Sequence, residues 1–439
     1  MSKKIKVLCW SDSPAVTTGF GVVAKELYKG FHDAGMEVVA MGTLATPLVD
    51  NSNLPYRVIN ACQHDPEMYE LAPAIVSMEK PDVVFILADP GTAYNRIGKL
   101  FSDTPVVAYF PIEGSPVSTR YLDFIRDVIH RGGSAVTYTK WGADTISLFS
   151  GGILKIPYIY HGVDHAGWKP IEPELRKHMR KVVGWDDKFV VTFRGRNKGV
   201  KMQLSLMHAM HQLVHVKKRD DILLYLHCKP FEEYLMQGWN LLEWKKNLGL
   251  SENLLFPQDM YNQLDGVPFD SNKITDWNNV KVSDDPKVRG LNFIDMDLCE
   301  RTALADLFID PASIEGFGLP ALEAAACGVP VATVNDSGVR SEIFGDNAYF
   351  MEPITETRWH TGAALKIVAE DTIGSTIELF SKNEKLCKEY GELGLERSKD
   401  FRWDNARESM TKLVEQASGK NTGQAMWFNN LLGGMSGNQ

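Results

Sequence analysis

The stretch SIEGFGLPALEAAACG, Ser313 to Gly328, carries two glutamates, Glu315 and Glu323, eight positions apart around a Gly-Phe-Gly turn. Gly316 and Gly318 let a backbone pass close to a ligand. The N–H groups of Gly316, Phe317, Gly318 and Leu319, with those of a helix starting near Pro320, form a site for an anion such as a diphosphate. Glu323, expected in the first helical turn, could accept hydrogen bonds from a ribose, as acidic residues do in other doubly wound nucleotide sites. A plainer reading is that both carboxylates are solvated or favour the helix dipole.

A second stretch, FVVTFRGRNKGVKMQ, ends a strand and sets Arg196 and Lys201 five positions apart in the loop that follows. Two cations opposite an amide-lined anion site suit a nucleoside diphosphate leaving group, whose charge grows as its bond breaks. By itself the pair also reads as a basic surface turn. Asp295 and Asp297, in DMD, have a spacing known from divalent-metal sites. Asp297 followed by Glu300 reads instead as a capping box opening the helix LCERTALA. No other cluster has metal-ligand spacing, so the expectation is chemistry without metal or cofactor.

These residues need elements to hold them. Apolar β-branched runs alternate with helix-period segments: IKVLCW, then GVVAKELYKGFHDAG, then MEVVAMG make a βαβ unit, and the pattern continues through PDVVFILADPG, PVVAYFPIEG and SAVTYTKWGADTISLF. A second series runs from KFVVTFRGR through DILLYLHC to LADLFID, PVATV and AYFMEP. The expected fold is α/β, two doubly wound Rossmann-like domains facing a central cleft. Boundaries are expected at 1–165 for the first domain and 166–400 for the second, with a C-terminal helix over 401–418 and a flexible tail over 419–439. Residues 257–290 are polar and aperiodic, an insertion too long for an ordinary connection.

Composition narrows the function classes. With 439 residues, 44% hydrophobic, the chain supports two cores. Six scattered cysteines without a CxxC pair fit neither a disulfide framework nor a zinc site, so a reducing, cytoplasmic setting is expected. There is no apolar run long enough for a membrane span. The net charge of -9 gives no global basic surface for a polyanion. Neither TTGFG nor EGFGL completes the G-x-G-x-x-G fingerprint of a dinucleotide oxidoreductase.

EGFGLPALEAAACGVPVA, the GRNKGVK loop, the YIYHGVDHAGWKP linker and the late KDFRWDNA together resemble a GT-B glycosyltransferase of family 4, whose members retain anomeric configuration. The resemblance spans nearly the whole chain and is strongest from Ile156 to Pro353. It implies transfer from a nucleoside diphosphate sugar as co-substrate, that Arg196 and Lys201 bind the donor diphosphate, that Glu315 lies by the transferred sugar, that Gly316 to Leu319 offer backbone N–H groups, and that Glu323 binds the ribose. It also matches TTGFG to a glycine-rich loop beside donor phosphates and acceptor, with Gly19 and Gly21 as candidates and Thr17 or Thr18 as helix cap. A plain strand-to-helix turn fits that stretch as well. The C-terminal helix should cross back to the first domain.

One position departs from the family. Many members carry a histidine after the strand that here reads PVVAYFPIEG, and Pro111 to Gly114 stand in its place. Glu113 is the nearest polar group. Asp89, ending FILADPG, is a second acceptor candidate, or a turn cap. His161 and Asp164 read as linker-shaping, and His227 as a structural histidine. Residues 1–165 hold 14 Lys and Arg against 17 Asp and Glu, so a saccharide or small-molecule acceptor is expected. A hydroxylated DNA base is the minority acceptor, through Arg120, Arg126 and Arg131 on one helix. The same residues are also compatible with a nucleotide-sugar epimerase and with a non-catalytic sugar-nucleotide binder.

Overall fold

A computed structural model describes residues 4–45, 48–100, 103–231, 238–257, 259 and 296–419. The insertion expected at 257–290 and the tail at 419–439 therefore lie, except for residues 257, 259 and 419, outside the described residues. The chain divides into two compact units: residues 1–112, 117–162 and 403–439 form the first, and 113–116 with 163–402 the second. The break after Gly162 falls three residues before the expected boundary. The short segment Glu113–Pro116 belongs to the second unit, which the sequence did not indicate.

The first unit is built on strands β1 (Lys6–Asp12), β2 (Glu37–Thr43), β3 (Arg57–Asn60), β4 (Val83–Leu87), β5 (Val106–Phe110) and β6 (Ser134–Thr137). They pair in parallel in the order β3-β2-β1-β4-β5-β6. Every residue of β4 and β5 is buried. That is why VVFIL and VVAYF are continuous apolar runs: helices cover both faces of the sheet and leave no side for polar residues.

The second unit repeats the plan with β7 (Phe189–Arg194), β8 (Ile222–His227), β9 (Leu254–Leu255), β10 (Leu307–Asp310), β11 (Val331–Val334) and β12 (Tyr349–Met351). The order is β12-β11-β10-β7-β8-β9, again parallel. In each sheet the first strand of the unit sits at the centre beside the fourth, so the strand order reverses between β1 and β4 and between β7 and β10. Open α/β sheets bind ligands outside the carboxyl ends of the strands at such a reversal. An antiparallel hairpin, β13 (Thr355–Arg358) with β14 (Ala364–Ile367), adds an element that the sequence did not signal.

The C-terminal helix Trp403–Ala417 belongs to the first unit, as expected of a crossing helix. It lies on helix Gly19–Asp33, where a Cβ on Gly30 would come 2.8 Å from Arg407 Cβ. Arg407 Nη1 also meets Glu26 Oε2 at 3.0 Å. In the second unit the alanines of LPALEAAA make a helix, Leu319–Ala326, narrow enough to pack between its sheet and helix Glu384–Ser398. A Cβ on Gly391 would stand 2.6 Å from the Gly328 carbonyl, and one on Gly394 would stand 3.2 Å from Ala325 Cβ. Small residues on both helices permit this approach.

Candidate functional site

The second sheet reverses direction between β7 and β10, and the two motifs of interest leave these strands at their carboxyl ends. After β7, Gly195 to Lys198 lead into a single 3-10 turn, Gly199–Lys201. After β10, Pro311 to Gly318 lead into helix Leu319–Ala326. The loops are tied together: Ser313 N–H donates to the Val200 carbonyl at 2.8 Å and its hydroxyl to the same oxygen at 3.1 Å.

This clamp brings Lys201 Nζ to 2.5 Å from Glu315 Oε2. Both side chains are mostly enclosed, 22% and 17% exposed, so each needs the other's charge. Burial alone would lower the Lys201 pKa, yet the carboxylates of Glu315, Asp310 and Glu113 outweigh it and hold the ammonium above its ordinary value. Burial likewise opposes ionisation of Glu315, but Lys201 and Arg340 overcome it and keep the carboxyl below its ordinary value. Glu315 Oε1 accepts the N–H of Gly316 at 3.2 Å, so that loop amide is engaged by the glutamate itself.

Gly318 takes a left-handed conformation, φ 89°, and starts the helix at Leu319. Its role is conformational: only glycine adopts that φ without strain. Because the helix begins one residue before Pro320, Glu323 lies in the second turn, not the first turn that the sequence suggested. The N–H groups of Leu319 and Ala321 have no partner within the helix, which leaves a donor pair at the loop's end. Phe317 is buried edge-on against Phe401, ring centroids 5.9 Å apart.

Glu323 is not isolated. It forms an ion pair with Arg194, the last residue of β7, whose guanidinium lies 4.7 Å from the centroid of the Trp168 ring. Arg194 was missed in the sequence, where a cation closing an apolar strand was the available signal. Arg196, two residues on, has its side chain exposed, and its carbonyl accepts Gln203 Nε2 at 2.7 Å.

Beneath Glu315 lies a further group of charges that the sequence did not single out. Asp310 ends β10, buried, its Oδ1 accepting the Ala312 N–H at 3.1 Å. Burial raises its pKa despite Arg340 nearby. Fully enclosed Arg340 donates from Nη1 to the Ala312 carbonyl at 2.6 Å and from Nε to Asp336 at 3.0 Å. Asp336 in turn accepts backbone N–H groups from Gly338, Arg340 and Ser341. The i,i+4 spacing of Asp336 and Arg340 was the signal in the sequence.

Glu113 is exposed on the segment that joins the second unit. A Cβ on Gly114 would stand 2.9 Å from Ala363 Cβ and 3.2 Å from Ile314 Cδ1, and Ser115 O accepts Ala364 N–H at 2.9 Å. The β13–β14 hairpin thereby supports the segment. Its Lys366 N–H donates to Ser313 O at 2.8 Å, so it braces the Glu315 loop as well. His227, ending β8, hydrogen-bonds through Nδ1 to Tyr225 Oη at 2.8 Å.

In the first unit, Thr18 is the cap of helix Gly19–Asp33, accepting Gly21 N–H at 3.0 Å and donating to Asp12 Oδ2 at 2.5 Å. Gly21 is required for packing: a Cβ there would fall 2.2 Å from the Val16 carbonyl. Gly19 has open space around it. Asp89 is exposed at the cap position of helix Pro90–Ile97, where its side chain makes no capping hydrogen bond. His161 is structural, in a box of Tyr109, Tyr138 and Trp403, and burial lowers its pKa to about 3. Asp164 shapes the linker, its Oδ1 accepting Ala166 N–H at 3.1 Å.

On helix Thr119–His130 and its end, Arg126 pairs with Asp123 at 2.7 Å and Arg131 with Asp127 at 3.3 Å, while Arg120 donates to Asn95 at 3.0 Å. Asp297 and Glu300 form the expected reciprocal capping box, at 2.8 and 2.9 Å, and Asp295 lies outside the described residues. Among the described residues no group of three or more His, Cys, Asp and Glu is arranged to hold a metal ion, and no helix is long and apolar enough to cross a membrane.

Comparison with known proteins gives this arrangement a context. Residues 285–397 match the family "Glycosyl transferases group 1". Over 119 residues the chain is 31% identical to O-antigen chain mannosyltransferase B of Escherichia coli, a stretch of 27% of either chain, so the match spans about a quarter of that relative. Among solved structures, a glycosyltransferase from Rickettsia africae aligns over 94% of this chain and 99% of its own with TM-score 0.64 and 14% identity. HepE from Anabaena, in complex with UDP-glucose, aligns over the same shares with TM-score 0.64 and 14% identity. Sucrose-phosphate synthase from Thermosynechococcus elongatus aligns over 95% of this chain and 100% of its own with TM-score 0.68 and 14% identity. With its two parallel, doubly wound units, this chain has the GT-B fold, and within its second unit the stretch 285–397 is similar to the group 1 glycosyl transferases.

Proposed function

We propose that the protein is a retaining glycosyltransferase that moves a sugar from a nucleoside diphosphate sugar to an acceptor hydroxyl. The observation that carries this reading is the mostly enclosed Lys201–Glu315 pair at the strand reversal of the second sheet, on the loops that lead to the start of helix Leu319–Ala326. In the reaction the bond from the anomeric carbon to the diphosphate oxygen breaks, and a bond to the acceptor oxygen forms as the hydroxyl's proton passes to the departing diphosphate. Lys201, Arg196 and the amides near Leu319 stabilise the charge that develops on the departing diphosphate. Glu315 lies by the sugar and Glu323 takes the ribose. HepE was solved with UDP-glucose and the curated relative is a mannosyltransferase, which favours a hexose donor.

The acceptor is assigned as a neutral saccharide or small molecule, and Glu113 and Asp89 are each a candidate carboxylate for its hydroxyls. Glu113 is supported by its charge acting on Lys201. The pairing of Arg126 and Arg131 with neighbouring aspartates leaves little net charge on that helix for a nucleic acid. Cations and amides carry the role of a metal, so activity is expected to survive EDTA. Complete loss restored by manganese or magnesium would overturn that part.

The test begins with a panel of nucleoside diphosphate sugars. A true donor at a hundred times its dissociation constant should stabilise the protein by about 2.7 kcal/mol. With that donor and a saccharide acceptor, nucleoside diphosphate should be released, the product should keep the donor's anomeric configuration, and the rate should hardly respond to salt. Donor conversion without an acceptor would indicate an epimerase. Transfer to hydroxymethylated duplex DNA that falls steeply with salt would replace the neutral acceptor.

A further inference from the structure

Arg194 closes β7 and forms an ion pair with Glu323 on helix Leu319–Ala326, with both side chains mostly enclosed, 14% and 11% exposed. The pair engages Arg194 Nη2 and Glu323 Oε2. Trp168 covers the guanidinium, its ring centroid 4.7 Å from Cζ. Arg194 Nη1 is buried without a hydrogen-bond partner among the described residues.

We propose that Arg194 is a positioning residue for nucleotide binding, fixing the Glu323 carboxylate by one oxygen so that the other is left to accept a ribose hydroxyl. This rests on the assignment of Glu323 to the ribose. A cation beside an enclosed carboxyl favours the charged form, which accepts hydrogen bonds through both oxygens. Arginine suits the task better than lysine because its planar fork holds a carboxylate in one orientation and stacks on an indole. The consequence is selectivity. A site built around a buried, ionised acceptor rejects a ligand that lacks the matching hydroxyl, since the carboxylate is then left unpaired.

The experiment measures binding of UDP, GDP and ADP, each beside its 2′-deoxy and 3′-deoxy counterparts, to the full-length protein and to Arg194→Lys, Arg194→Met and Glu323→Gln. Wild type should prefer the ribose form of its nucleotide by about tenfold or more over at least one deoxy form, the worth of one hydrogen bond to a charged group. Glu323→Gln should lose most of that preference, and Arg194→Met should lose as much. Arg194→Lys, which keeps the charge without the fork, should retain only part. If Arg194→Met does not fold, Arg194→Lys decides. A lowered melting temperature with an unchanged ribose preference in Arg194→Lys would make Arg194 purely structural and overturn the inference while leaving Glu323 in place. Equal binding of ribose and deoxy forms by wild type would instead remove Glu323 from the ribose, and the inference with it.

Discussion

Lys201 Nζ lies 2.5 Å from Glu315 Oε2, one residue delivered by the loop after β7 and the other by the loop after β10. The pair spans the strand reversal of the second sheet, so each partner depends on the other loop's position. Removing only one partner leaves an enclosed charge without compensation. Lys201→Met should therefore cost about 3 kcal/mol of unfolding free energy, and Lys201→Met with Glu315→Gln should recover much of that loss. Both variants should lose turnover. Denaturant unfolding of the two single variants and the double checks the coupling; additive losses would contradict it.

Arg196 offers the opposite combination. Its side chain is exposed, so Arg196→Ala should leave the melting temperature nearly unchanged. If it stabilises the departing diphosphate, turnover should fall about a hundredfold. Wild-type kinetics in this variant would take Arg196 out of the donor site.

Arg340 is buried, with partners in Ala312 and Asp336 and one nitrogen, Nη2, lacking a partner among the described residues. Arg340→Met would strand Asp336 and loosen the loop that carries Glu315. A stability loss of about 3 to 5 kcal/mol is expected, measured by urea unfolding. A loss below about 1 kcal/mol, the scale of an exposed pair, would show that the loop is held by other contacts.

His161 sets an acid limit. Tyr109 Oη donates to the Ile159 carbonyl at 2.6 Å and meets His161 Nδ1 at 2.9 Å, which makes Nδ1 the donor of a neutral imidazole. Burial lowers its pKa from 6.5 to about 3. A depressed folded-state value means that the unfolded chain binds the proton more readily. The contribution is whole above 6.5 and is lost as pH falls towards 3. Each pH unit in that window should cost up to about 1.4 kcal/mol. In His161→Phe this slope should shrink; an unchanged acid profile would assign it to other groups.

The alternation that builds both sheets was legible because it is local. Strands such as VVFIL and helices such as GVVAKELYKGFHD carry their periods within a few residues, and Thr18 and Asp297 mark helix starts by chemistry that acts over three or four positions. The hairpin β13–β14 escaped notice because TETR is fully exposed and has no alternating apolar face. Its partner ALKI is too short for a period to emerge.

The chain by itself determined the types of residue at the site and the turns that present them: Glu315 and Glu323 around a glycine turn, Arg196 and Lys201 after a strand. Tertiary structure alone decided which of them meet. Lys201 and Glu315 are 114 positions apart, and their pairing exists because β7 and β10 are neighbours at the point where the strand order reverses. Arg194 gained Glu323 in the same way, whereas Arg340 has Asp336 four positions away and owes to the fold its contact with the Ala312 carbonyl. A charge in a sequence carries no sign of being buried, and burial is what turns a cation and a carboxylate from solvated neighbours into a mutual necessity.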